Sequence, residues 1–421
     1  MTGTIDDHGT APAARPHVRA VTDTADSCVK CNICNTACPV SAVTDLFPGP
    51  KYEGPQGQRF RAGIDTGHSP DASLDWCSGC GLCTQACPEG VLVAEINQVA
   101  RTRLVADRGG LGTRDNLISR PPLMGTLARP VAPLANALMG NRLFRAALQR
   151  ALGVHRDAAM PRFSTRSFRG WARRHRRLDE AERTVAYFHG CAVQHFEPEV
   201  GAAVVRVLER NKVRVTFPRQ GCCGLPLISN GDFAAGDRSA ARLVARLAPA
   251  ARDPGVIVAN STSCGMTLKA KYRELLGRAD GPTEAVGRAV YDVCEYLAEL
   301  AADGRLDTGF APLRAKALYH PPCQLMAHGV GTPALDLLAL VPGLDVEPSR
   351  VGCCGTAGTY GVKAEKHDVA MRVGASLFER VRDSGASFVV CDSETCRWHI
   401  AKSTGLPVYH PVQVLDRAYG G

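Results

Sequence analysis

Aromatic residues make up only 6% of this 421-residue chain, and no stretch of it is both long and free of charge. The most apolar candidate for a membrane span, residues 123–144, contains Arg129, Pro130, Pro133, Asn136 and Arg142. A spanning helix needs about 20 mostly apolar residues with no charge inside. Residues 1–25 show no apolar core of a secretory signal. No glycine-rich dinucleotide fingerprint stands between a strand and a helix, so a flavin or nicotinamide is expected on another chain. No acid–base or nucleophilic constellation stands out either. Lysine and glutamate are absent from residues 101–177, which hold seventeen Arg and three Asp. That segment carries +14, and the remainder −5, of a net +9. These absences argue against an integral membrane protein, a secreted chain and a nucleotide-binding enzyme.

Cysteine is what the chain has in excess, with eighteen residues. Without an export signal, such a number points to metal in a reducing cytoplasm rather than to disulfides. Cys28, Cys31, Cys34 and Cys38, followed by Pro39, have C-x2-C-x2-C-x3-C-P spacing, and Cys77, Cys80, Cys83, Cys87 and Pro88 repeat it 49 residues later. This is the ferredoxin run for a [4Fe–4S] cluster, in which the fourth cysteine serves the other cluster of a pair. The spacing therefore assigns Cys28, Cys31, Cys34 and Cys87 to one cluster, and Cys77, Cys80, Cys83 and Cys38 to a second. Zinc sites use two C-x2-C pairs instead of triplets trailed by C-P.

Residues 1–26 read as a flexible tail and 27–100 as the two-cluster module. Within the module, 47–55 reads as a Pro/Gly loop outside regular helix or strand. Residues 101–183 read as a basic helical connector. In it, residues 141–152 predict an amphipathic helix with Leu143, Phe144, Ala147, Leu148, Ala151 and Leu152 on one face. Further on, Phe163, Phe168 and Trp171 alternate with Arg162, Arg166, Arg169, Arg173 and Arg174. Two readings stand for 141–177: packing on its neighbours, or docking on an anionic membrane surface or a partner. Nucleic acid is not an expected partner.

The rest of the chain repeats itself, as 184–312 and 313–421. Cys191, the pair Cys222-Cys223 before Gly224, and Cys264 recur as Cys323, Cys353-Cys354 before Gly355, and Cys396, at offsets of 131 or 132 residues. Strands are predicted at 185–188, 213–217, 256–259 and 387–390, with helices at 199–211 and 234–247. This alternation implies parallel α/β sheets with cysteines just past the strand ends. Adjacent cysteines before a glycine can aim two sulfurs at one centre, and four thiols per copy suit a further Fe–S cluster or zinc. His189, His320 and His328 lie near these cysteines and are expected to be structural.

These residues resemble a known arrangement. The ferredoxin module followed by two Cys-Cys-Gly (CCG) domains is similar to the iron–sulfur subunits of FAD-linked dehydrogenases and to heterodisulfide reductase subunits. The match narrows to the C subunits of anaerobic glycerol-3-phosphate dehydrogenases on residues 28–40, 48–59, 188–193, 222–231, 354–361 and 394–404. The resemblance implies a mixed fold: a small, mainly α-helical ferredoxin-like domain, then two homologous α/β cysteine-rich domains. It implies an electron-transfer subunit, held peripherally on the cytoplasmic face of the membrane, passing electrons from an FAD-carrying dehydrogenase to menaquinone. The alternatives are the same relay for a glycolate or lactate oxidase, or an enzyme of the heterodisulfide reductase kind. The family's CCG domain ends in C-x2-C, whereas Ser261 and Ser393 stand at the first position here. Cys391, two residues earlier, is a candidate substitute for that thiol, although it is expected to leave its strand on the face opposite the Ser393 loop.

Overall fold

The structure, a computed structural model, describes residues 16–63, 71–176 and 178–421. The C-terminal half carries two four-stranded parallel sheets of identical topology. The first orders β2 (Val213–Thr216), β1 (Arg183–Phe188), β3 (Ile257–Ala259) and β4 (Val290–Asp292). The second orders β6 (Leu344–Pro348), β5 (Ala315–Tyr319), β7 (Phe388–Val390) and β8 (Val408–Tyr409). Helices join the strands in sequence, which is why every pairing is parallel. With both sheet faces covered, the central strands are apolar throughout, and Val185 to Phe188 are almost fully buried. The predicted strands and the helices at 199–211 and 234–247 match the structure to within a few residues; the helices are Pro198–Arg210 and Phe233–Arg252.

One core joins the two domains. Tyr187 and Val258 of the first sheet share it with Tyr319 and Val390 of the second. Burying side chains of this size is worth about 1.5–3 kcal/mol each. The opposite face of each sheet has its own core, one containing Cys223 and Cys264 and the other Cys354 and Cys396. Helices of both domains lie between the two sheets in this shared core, and the cysteine-containing cores lie on the sheet faces turned away from it.

The ferredoxin-like module is built of short helices and loops around one long buried helix, Val93–Asp107, which runs past the expected boundary at 100. Two expectations fail here. Residues 16–26 of the predicted tail are helical, as Pro16–Asp23 and Thr24–Ser27, and residues 1–15 of it lie outside the described residues. Val21 and Ala25 bury against Val91, Val93 and Ile96, which ties this segment to the module. The Pro/Gly loop becomes helical in its second half, with a π-turn at Tyr52–Gln56 leading into Gly57–Gly63. A wider turn accommodates Pro55, which has no N–H to give an α-helical ladder.

The connector's helices include Pro121–Ala128, Ala132–Gly140 and Arg142–Leu152. No described helix is long and apolar enough to cross a membrane. Arg142–Leu152 forms where predicted, capped by the Asn141 side chain, which accepts from the N–H groups of Leu143 and Phe144. It packs the other way round from an ordinary amphipathic helix. Arg145 is buried, its guanidinium donating to the carbonyls of Arg156 and Ala158 at 2.6 Å each, while Leu143 is 82% exposed. The arginine–aromatic stretch turns its rings inward. Phe168 is fully buried in the shared core, and Trp171 stacks on it at 5.5 Å.

Candidate metal centres

The two ferredoxin runs fold alike. In each, the two gaps between the first three cysteines contain a residue with left-handed backbone: Lys30 and Asn32 in the first, Gly79 and Gly81 in the second. Short helices follow, Ile33–Thr36 and Leu82–Gln85, and the N–H of the fourth cysteine donates to Asn35 or Thr84 at 3.1 Å. These turns wrap three thiols around a point while the fourth is carried away to the other run.

Cys28, Cys31, Cys34 and Cys87 line one small cavity with Pro55, Val91 and Val93. Burial raises the Cys34 thiol, and its neighbours Cys28, Cys87 and Cys31 raise it further. Cys77, Cys80 and Cys83 are likewise raised by burial, each with Cys38 among its neighbours. The chain thus brings each triplet together with the trailing cysteine of the other run. Exposure separates the two sets. Cys31 is exposed, whereas Cys38, Cys77, Cys80 and Cys83 are buried.

Cations surround the buried set. The Arg101 guanidinium donates to the carbonyls of Leu74, at 2.7 Å, and Cys77, and to that of Ser229 in the first cysteine-rich domain at 2.8 Å. Lys366 of the second domain holds Asp75 and lies over the Trp76 and Tyr360 rings. Burial, reinforced by Lys363, pulls the Lys366 ammonium down to about 7. Lys271 is fully embedded, donating to Gln324 Oε1 at 2.9 Å, and Gln324 Nε2 donates to the Cys80 carbonyl at 3.0 Å. None of these side chains was singled out from the sequence. Lysines and arginines are common, and only the fold shows which are buried.

In the first cysteine-rich domain Cys191 follows β1, and Cys223 Sγ lies 3.4 Å from Cys264 Sγ. In the second, Cys354 Sγ lies 3.1 Å from Cys396 Sγ. The N–H of each following glycine points at the first sulfur of its pair, Gly224 to Cys222 at 3.4 Å and Gly355 to Cys353 at 3.3 Å. The left-handed backbone at Gly355 and the Ala370 carbonyl packed against its Cα leave no room for a side chain. Hydrogen bonds from Cys191 and Cys223 hold the Cys222 thiol well below its ordinary value. Those from Cys354 and Cys391 do the same for Cys396. Each set thus has one sulfur favoured as thiolate, the form that ligates metal.

Both sets open into one cavity of about 190 Å³. Its wall contains all four thiols of the first set, Cys323, Cys353, Cys354 and Cys396 of the second, and Cys80 of the ferredoxin module. Met124 and Met160 of the connector close it. Gathered soft thiols and glycines packed too tightly for a side chain fit iron–sulfur ligation well. Each of the three histidines near these sets uses one ring nitrogen in a hydrogen bond. His189 and His328 bond the carbonyls of Gly190 and Thr262, and His320 bonds Ser349. Burial pulls His189 and His328 down to about 4, so both are neutral.

Comparison with known proteins agrees with this layout. A family model described as a 4Fe-4S dicluster domain matches residues 24–91, and one described as a cysteine-rich domain matches 185–269 and 317–401. The chain is 35% identical over 400 residues to the C subunit of the anaerobic glycerol-3-phosphate dehydrogenase of Escherichia coli (strain K12), covering 93% of this chain and 98% of that one. The chain belongs to the family of anaerobic glycerol-3-phosphate dehydrogenase C subunits. It is an iron–sulfur subunit of an oxidoreductase of this kind, with two [4Fe–4S] clusters in its ferredoxin module. More distant likenesses include lactate utilization protein A 1 of Bacillus mycoides (strain KBAB4), 31% identical over 56% of this chain and 99% of that one. The D subunit of the dihydromethanophenazine:CoB--CoM heterodisulfide reductase of Methanosarcina barkeri is 24% identical over 89% of this chain and 88% of that one.

Proposed function

We propose that this chain relays electrons from an FAD-dependent glycerol-3-phosphate dehydrogenase subunit to menaquinone at the cytoplasmic face of the membrane. The observation that carries the reading is the cavity where Cys80 meets both cysteine-rich sets. Iron–sulfur clusters supply one-electron transfer between such sets. We assign Cys28, Cys31, Cys34 and Cys87 as ligands of one cluster and Cys77, Cys80, Cys83 and Cys38 as ligands of the other. The exposed Cys31 marks the side open to a flavoprotein. Cys191, Cys222, Cys223 and Cys264, and Cys323, Cys353, Cys354 and Cys396, form the further sites.

For membrane attachment the support lies upstream of the arginine–aromatic stretch. Leu123, Leu127, Val131, Leu134, Leu138, Leu143 and Phe144 are all exposed. Residues 120–156 contain six arginines and no Asp or Glu. An apolar ridge bordered by cations suits an anionic lipid interface.

The deciding experiment is anaerobic co-purification with the flavoprotein partner, followed by electron paramagnetic resonance and quinone reduction assays. Two interacting [4Fe–4S] signals, reduced by glycerol 3-phosphate and reoxidised by menaquinone, are expected. A partner that oxidises lactate instead overturns the substrate assignment. Pelleting with anionic vesicles should be lost in Leu127→Glu/Leu143→Glu; unchanged pelleting removes the ridge from the proposal. A second reading, reductive cleavage of a disulfide, is favoured by the two thiol sets sharing one cavity. Disulfide reduction by this chain without its flavoprotein, given an artificial electron donor, would establish it.

A further inference from the structure

We infer that Cys391 is an iron ligand of the second cysteine-rich set, which makes the two sets chemically unequal. The inference rests on the reading that these sets hold iron–sulfur centres, and it names a donor that the repeat pattern does not contain. The sequence expectation put this side chain on the wrong face. Along β7, Phe388 and Val390 point into the core shared by the two domains, whereas Val389 and Cys391 point the other way, into the core that holds Cys354 and Cys396. The helix Glu394–Thr404 begins directly after Ser393 and brings Cys396 back over that face. Cys391 is fully buried, and its thiol lies within hydrogen-bonding reach of Cys396, which is itself 3.1 Å from Cys354.

Ser393, at the position where the spacing asks for a thiol, offers only a hydroxyl, which lies 3.4 Å from Thr395 Oγ1. A hydroxyl is a poor donor to iron–sulfur centres beside a thiolate. Cys391 supplies from the strand end what Ser393 lacks in the loop. The first domain has no such compensation. The residue 132 positions earlier is Ala259, which occupies the same place in a core with Cys223 and Cys264. The second set therefore has five thiols and the first has four.

The test is iron and sulfide content per chain, with electron paramagnetic resonance, on the anaerobically reconstituted full chain. Cys391→Ser should lose the iron of one centre while the ferredoxin signals persist. Cys294→Ala, which removes a buried thiol outside both sets, should keep the full content. The relocated variant Cys391→Ala/Ser393→Cys should regain the centre, which a packing defect at 391 would not allow. Unchanged iron and spectra in Cys391→Ser, or failure of the relocated variant to regain iron, overturns the inference. A wild-type chain holding only about eight irons, the content of two [4Fe–4S] clusters, overturns the underlying reading as well, which distinguishes the two failures.

Discussion

Glu197 joins the two cysteine-rich domains, and its removal should be felt well beyond its own position. Its carboxylate accepts from Arg397 Nη2 at 2.5 Å and from Trp398 Nε1 at 2.6 Å, both on the helix that carries Cys396. Arg397 is 3% exposed and also donates to the carbonyls of Cys391 and Asp392, at 3.1 and 3.2 Å. Glu197→Ala removes the carboxylate hydrogen-bonded to that buried guanidinium and leaves Glu394 as its acidic neighbour. Removing one partner of a buried pair costs about 3–5 kcal/mol. At about 2–4 °C per kcal/mol for a unit of roughly 150–250 residues, the melting temperature should fall by roughly 6–20 °C. Differential scanning calorimetry of the anaerobic holoprotein reads this directly. Glu197→Gln keeps one acceptor and should fall between. A loss under about 4 °C would refute the idea that this pair holds the domains together, because a solvent-screened ion pair is worth at most about 1 kcal/mol.

Three other outcomes are expected. Burial and the neighbouring Asp392 push Asp292 up to about 8, so the folded state keeps a proton that the unfolded chain releases near pH 4. Stability should then be full below pH 4 and fall as pH rises towards 8, by about 1.4 kcal/mol per pH unit per proton. Asp292→Asn, which keeps the helix cap, should flatten that decline in pH-dependent melting; an unaltered slope counts against it. Gly355→Ala forces a left-handed alanine, costing about 1–2 kcal/mol before the clash with Ala370 is counted, and should deplete iron from the second cysteine-rich set in metal analysis. Lys271→Met removes a buried positive charge beside Cys323 and Cys80. Reduction adds negative charge, so redox titration should show lower midpoint potentials without it.

The thiol sets were legible in the sequence because ligation to a small centre imposes short, repeated spacings. The doubled sheet was legible because apolar strands alternate with amphipathic helices. Direction was not. Periodicity found the helix at 142–152 but assumed that its apolar stripe faces inward. The burial of Arg145 depends on three carbonyls that the following loop, through 158, happens to present. Cys391 was misjudged because strand alternation fixes only relative faces. Which face meets Cys396 is decided by how the next helix folds back. The cations around Cys77 and Cys80 come from three separate stretches of chain and leave no local signature.

The unequal exposure of the two ferredoxin sets bears on how the protein fails in air. Oxidants in solution reach the exposed Cys31 before any sulfur of the buried set. Iron should therefore be lost in order, from the outer centre first. On the route proposed above, a preparation exposed briefly to oxygen would be severed at its entrance while its interior stayed loaded. It would still be coloured and partly paramagnetic on reduction, yet deaf to its flavoprotein donor. Apparent inactivity in aerobically isolated material would then report a broken first link rather than a missing partner.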